Sequence, residues 1–262
     1  MGVLIKKLSS NIWKISFQRK LIERKRNEGA SFEFINSLFT DKRVLNGPFK
    51  DLLYPEMRSK SSSLYSKLIG SYEKELEPLM EQIVDAKYPQ IIDIGCAEGY
   101  YAVGLALKNT NTKVYAFDID PEARELTKKM AKVNKVSERV VVEKNCDKQY
   151  LKNFNYDKKT LIISDIEGAE KDLFDEEIVQ NLKNVDLLIE THDWVDINIS
   201  TNLEKLFQPT HKIEVISSIG DVQKAKYYNY KELEGQSLQL KYRVFEEGRS
   251  FNDEWLWIKS IG

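Results

Sequence analysis

Asp93, Gly95 and Gly99 close one apolar run, Ile91-Ile92-Asp93-Ile94, and Asp118 closes the next, Val114-Tyr115-Ala116-Phe117. A buried strand that runs into glycines at a helix start, followed by a second strand ending in an acid, holds a nucleotide-like ligand by backbone at one end and ribose at the other. The glycine spacing narrows the ligand. A dinucleotide fingerprint needs Gly-x-Gly-x-x-Gly to seat a pyrophosphate on the helix N-terminus, whereas here Ala97 stands between Gly95 and Gly99. The dense phosphate nest is missing, which leaves a nicotinamide-type oxidoreductase as the alternative.

Ligands of an open α/β sheet sit beyond the carboxyl ends of its strands. The polar residues expected there are Cys146-Asp147, Asp165-Ile166-Glu167 and Glu190-Thr191-His192. Asp147 either accepts from an adenine amino group or is an ordinary loop acid. His192, one of two histidines, is the candidate proton acceptor, oriented by Asp165 or Glu190, or else a structural strand cap. Asp165, Glu190 and His192 could alternatively hold Mg²⁺, although no metal is assigned. His211 reads as a solvated loop residue. Arg243 and Arg249 would clamp an anionic substrate or pair with surface acids.

The order Asp93-Ile94-Gly95-Cys96-Ala97-Glu98-Gly99 resembles motif I of the class I S-adenosylmethionine methyltransferases. That resemblance implies S-adenosyl-L-methionine as cofactor. Gly95 would let its methionine end approach the backbone, Asp93 would orient its amino group, and Asp118 would accept from the ribose hydroxyls. Cys96, Ala97, Gly99, Ile119, Asp147 and Asp165 complete the implied cofactor set. Further on, Asp165-Ile166-Glu167-Gly168-Ala169-Glu170 and Ile189-Glu190-Thr191-His192 resemble the FkbM family, associated with O-methylation of natural products and glycans. This likeness covers about Ile91 to Trp194. It departs at Asp118, where that family usually has glutamate. Neither Asp-Pro-Pro-Tyr nor Asn-Pro-Pro-Tyr occurs, so the clamp that resembles amino-group methylation of bases is missing and oxygen is the expected acceptor. A small molecule or glycan is the expected substrate. A methyltransferase fold without activity, used only to tether a partner, is a further alternative.

The elements that must position these residues alternate β and α from Pro89 onward. Strands are expected at Gln90–Ile94, Lys113–Phe117, Val140–Glu143, Thr160–Ser164, Asp186–Glu190, Lys212–Ser217 and Glu254–Lys259. Asp120-Pro121 is an N-cap with proline at the first helical position. Helices are also expected at about Tyr100 to Lys108, after Glu170 with Leu173, Phe174, Ile178 and Leu182 inward, and after Ser200. The fold class is α/β: a doubly wound, seven-stranded, mainly parallel sheet, with the last strand antiparallel by the methyltransferase resemblance. Residues 1–86 are expected to form an N-terminal helical cap and 87–262 the cofactor-binding domain, with an insert at 220–252. Ser71 is a candidate N-cap in the cap's last helix, where Pro78 either kinks the helix or marks its true start. The stretch from Ser59 to Ser66 reads as loop. Gly47-Pro48-Phe49 and Lys67 to Glu73 resemble the cap of other bacterial methyltransferases.

With 262 residues and 42% hydrophobic content, the chain can build one full α/β domain and an accessory segment. Lys+Arg 40 against Asp+Glu 41 gives net charge -1, no field to attract nucleic acid, and a nucleic-acid substrate is not expected. Cys96 and Cys146 form no Cys-x-x-Cys pattern and read as reduced packing residues in a cytoplasmic protein, a bridge between strand ends being the alternative. No apolar run reaches the ~20 residues of a membrane span. Leu4, Leu8, Ile12 and Ile15 share a helical face in a basic stretch reaching Arg26. Such a helix packs on its own domain or a neighbouring subunit, or lies on an anionic membrane surface.

Overall fold

The computed structural model describes residues 29, 31–60, 62–248 and 254–262. The basic amphipathic stretch through Arg26 and the candidate clamp Arg249 lie outside them. Contacts divide the chain after Thr40, and Asp41–Gly262 is one compact unit. Of the preceding unit, residues 31–38 are helical. Residues 41–86 therefore belong with the sheet. Among the described residues no helix is long and apolar enough to cross a membrane.

The sheet has seven strands: β1 Gln90–Ile94, β2 Lys113–Phe117, β3 Val140–Glu143, β4 Thr160–Ser164, β5 Asp186–Thr191, β6 His211–Ser217 and β7 Glu254–Ser260. Their order is β3-β2-β1-β4-β5-β7-β6, and only β7 runs antiparallel to its neighbours. Ile91, Ile92, Leu161 to Ile163 and Leu187 to Ile189 are buried, the continuous apolar character expected of strands covered on both faces. Trp255, Leu256 and Ile258 bury β7 as completely.

Register positions the site. Ile94 lies beside both Phe117 and Ser164, and Ser164 beside Ile189. Gly95, Asp118, Asp165 and Glu190 therefore emerge side by side at one edge of the sheet.

Local chemistry accounts for the elements that flank it. Asp120 accepts from Glu122 N at 2.8 Å and opens helix Pro121–Val133, with Pro121 in the first turn. Pro78 lies in the first turn of helix Glu77–Ala86, after a 3₁₀ turn at Lys74–Leu76, so it marks a start rather than a kink. Ser71 is not its cap. The helix expected after Glu170 is two short ones, Glu170–Leu173 and Glu176–Asn181, because Asp175 caps the second by accepting from Ile178 N at 2.9 Å. The serine-rich stretch contains helix Leu64–Ile69, ended by Gly70 in the left-handed region. The insert carries helices Asp221–Tyr227 and Leu238–Phe245. His211 is not solvated: it starts β6, is buried, and its Nε2 lies 3.0 Å from Val185 O.

Candidate active site

Gly95 and Gly99 are both left-handed, and each is required by packing. A Cβ on Gly95 would come 1.7 Å from Asp165 O, so β4's exit crosses directly over the loop. A Cβ on Gly99 would meet Thr127 Cγ2 at 2.9 Å. Ala97, where a dinucleotide fingerprint has glycine, is held at φ 47 by Asp118, whose Oδ2 accepts its N–H at 2.9 Å. Asp118 Oδ1 accepts Asp120 N at 2.8 Å. Burial raises the Asp118 carboxyl above the usual range. Strain of this kind concentrates where a backbone is held for a ligand, and Glu167 repeats it at φ 55.

Two cavities flank this loop and share Gly95, Ala97, Asp165 and Glu167 as their partition. The wider, about 780 Å³, is lined by Phe117, Asp118, Ile119, Asp147, Ile166 and Leu173, among others. Its apolar walls and terminal acids suit a purine nucleoside. Asp147 there also caps helix Lys148–Asn153, accepting from Tyr150 N at 2.8 Å. Cys146 lines the same cavity, while Cys96 lies across the partition, and both are free and buried.

The narrower cavity, about 410 Å³, brings together Asp93, Asp165, Glu167, Glu190 and His192. Tyr72, Tyr100, Tyr101 and Trp194 give it aromatic walls, and Lys60, Lys67 and Glu247 close it from outside the sheet. Asp93 is 3% exposed and its Oδ2 has no hydrogen-bond partner among the described residues. Burial, then the neighbouring Asp165 charge, push its carboxyl up to about 7. His192 Nδ1 lies 2.9 Å from Oε1 of the fully buried Glu170, and its Nε2 lies 3.4 Å from Asp165 Oδ1. Burial alone would lower its pKa, but Asp165 and Glu170 outweigh it and raise it to about 11. The two carboxylates thus favour the imidazolium, which donates from Nδ1 to Glu170 and turns Nε2 towards Asp165 at ion-pair distance. Asp165, Glu190 and His192 offer ligand atoms within 4.8 Å of one another, the set weighed above for a cation.

Asp93, Gly95, Cys96, Ala97, Asp165, Glu190 and His192 thus share one cavity, and Asp118, Ile119 and Asp147 the adjoining one. Gly99 lines neither and serves the loop's packing on Thr127. Arg243 lines neither cavity. Sequence reasoning missed Lys67 and the aromatic walls, and gave Glu170 no role beyond its hexapeptide. A glutamate that follows a strained turn by three residues and faces a histidine-bearing strand end was the available signal.

A family described as "Methyltransferase domain" matches residues 86–245, more than half the chain. The chain belongs to the methyltransferase domain family. Membership makes S-adenosylmethionine the cofactor of this fold, and the buried unpartnered oxygen of Asp93 and the acid-ended nucleoside cavity fit it. The O-methyltransferase TomG from Streptomyces achromogenes, solved with S-adenosylmethionine, is similar in fold at TM-score 0.51 and 10% identity, over 74% of this chain and 82% of that one. An O-methyltransferase from Bacillus cereus, solved with S-adenosylhomocysteine, aligns at TM-score 0.49 and 12% identity, over 73% of this chain and 82% of that one. The ribosomal protein L11 methyltransferase of Acinetobacter baylyi is 47% identical over 58 residues, 22% of this chain. The match spans only 19% of that relative's length.

Proposed function

We propose that this methyltransferase moves the methyl group of S-adenosylmethionine to a hydroxyl oxygen of a small molecule or glycan, and that it is FkbM-like. The observation that carries this reading is the 2.9 Å contact between Glu170 and His192, which joins the two segments on which that likeness rests. The narrower cavity supports it as well. Its aromatic walls and carboxylates suit stacking on a compact polar ring and accepting from its hydroxyls. Adenosine would lie in the wider cavity, with Asp118 and Ile119 at the ribose and Asp147 at the base. The methionyl end would pass Gly95 towards Asp93.

Methyl transfer is an in-line displacement at a sulfonium. The acceptor must be aligned and its proton removed. His192, as an imidazolium, donates, so we assign proton acceptance to Asp165 and give His192 the task of orienting it. The Asp165 side chain is 33% exposed where it lines the cavity, and His192 Nε2 stands 3.4 Å from its Oδ1, which leaves the carboxylate within reach of an acceptor O–H. Glu190 would hold a second hydroxyl.

The test incubates purified protein with methyl-labelled cofactor and separate pools of hydroxylated small molecules, glycans, bulk RNA and protein. Label in the small-molecule or glycan pool, on oxygen, supports the reading. Label confined to RNA or protein overturns it, and binding of the cofactor without turnover on any pool favours a tethering module.

A further inference from the structure

Glu98 sits inside the glycine loop yet is 1% exposed, and everything that satisfies it comes from residues 54–67, outside the family-matched segment. Its Oε1 accepts from Tyr54 OH at 3.2 Å, Ser59 Oγ at 2.7 Å and Lys67 Nζ at 2.6 Å, and its Oε2 accepts from Lys60 N at 3.1 Å. The loop that holds the cofactor is therefore fastened to a strap that covers the narrower cavity.

Lys67 is the unusual member. It is 2% exposed, lines the cavity wall, and stands over the rings of Tyr72 at 4.7 Å and Tyr100 at 5.5 Å. Its ammonium has three donors. Glu98 takes one and Ser59 Oγ, at 3.3 Å, a second. A buried ammonium with a donor to spare thus shares a small cavity with Asp93, a buried carboxylate with an oxygen to spare. A cation and an anion that line the same small cavity complement an α-amino-acid zwitterion, whose two charges would meet their remaining donor and acceptor.

We propose that Lys67 is the anchor for the α-carboxylate of the cofactor's methionyl end, with Asp93 taking the α-ammonium and Glu98 acting as the positioning residue for Lys67. This rests on the S-adenosylmethionine reading of the site. It makes residues preceding the matched segment part of the cofactor site, and makes the chain discriminate by the amino-acid end as well as by adenosine.

Calorimetry on the full chain with S-adenosylhomocysteine and with 5′-methylthioadenosine, which lacks the amino-acid end, tests it. Because removing Lys67 alone strands Glu98, the variant is Lys67→Met/Glu98→Gln, with its melting temperature measured beside the wild type. The expected result is that S-adenosylhomocysteine weakens about 10- to 100-fold, the loss of a charge-assisted hydrogen bond, while 5′-methylthioadenosine changes by less than about three-fold. Glu98→Gln alone, which keeps the ammonium, should retain most of the preference for S-adenosylhomocysteine. Equal weakening of both ligands, or none of either, overturns the proposal. If the wild type binds neither ligand, the cofactor reading itself falls.

Discussion

The wholly buried Glu170 carboxylate lies 2.9 Å from Nδ1 of His192, and the backbone N–H groups of Ile166 and Gly168 both point at the same Oε1 from 3.4 Å. Against burial, Asp165 and this carboxylate together raise the imidazole's pKa. A group whose folded pKa is raised stabilises the fold below its unfolded value and loses that contribution as pH rises through the folded one. For His192 the window runs from 6.5 to about 11. NMR of the wild type should therefore show no His192 transition across neutral pH. Glu170→Gln should bring one into that range, and a His192 that titrates near neutrality in the wild type would remove the imidazolium from the scheme.

Catalysis and cofactor holding should separate by mutation. Asp165→Asn, which removes the assigned proton acceptor, and His192→Ala, which removes the group that orients it, are each expected to lower turnover by about 10²-fold or more, with S-adenosylhomocysteine affinity kept within a few-fold. A chelator should leave the wild-type rate unchanged, since Nε2 of His192 carries a proton towards Asp165. Activity lost to chelator and restored by Mg²⁺ would hand Asp165, Glu190 and His192 to a metal instead.

Asp118→Ala should do the reverse. Its ribose contact would be equally strong in ground and transition states, and it also ties Ala97 N, so about a ten-fold loss of cofactor affinity is expected with saturated turnover little changed. Calorimetry and initial rates on the same preparation decide this.

Asp93 should make unliganded stability pH-dependent. Between 3.8 and about 7 the folded chain holds a proton that the unfolded chain has released, so stability falls as pH rises across that window. Urea melts at several pH values should show the slope in the wild type and its loss in Asp93→Asn. Affinity for S-adenosylhomocysteine should climb through the same window, because the ammonium wants the carboxylate.

Lys224, wholly buried in the insert, pairs with Glu247 at 2.6 Å, and Glu247 also accepts Glu73 N at 3.1 Å. Removing one partner leaves the other charge buried, so Lys224→Met should cost about 3–5 kcal/mol in denaturant unfolding. Lys224→Met/Glu247→Gln should recover most of it. Little loss in the single variant would mean that water reaches Glu247.

The strands were legible because each is a short apolar run closed by a turn, and β1 to β4 lie where hydrophobicity and flanking glycine or proline put them. Asp93, Asp118, Asp165, Glu190 and His192 were legible for the same reason: strand ends carry the chemistry in such a sheet. Lys67, Glu98 and Lys224 were not. A charged residue in a polar stretch reads as surface, and its burial depends on a partner dozens of positions away, which local pattern does not contain. Asp175 broke an expected helix by competing for a backbone N–H, a choice between two local options of similar energy.

The strap's flanking residues and the insert meet each other as well as the cavity. Tyr230 OH donates to Gly70 O at 3.0 Å, Asn46 Nδ2 to Glu232 Oε2 at 3.4 Å, and helix Leu64–Ile69 packs on helix Leu238–Phe245. One wall is thus assembled from pieces separated in sequence by β1 to β6, Glu73 and Glu247 being 174 positions apart. A change of substrate would then require matched substitutions at both ends of the chain. A chimera that exchanges only the insert with a relative would inherit a wall whose halves no longer fit, and one that exchanges both segments together would carry its donor's acceptor preference onto an unaltered sheet.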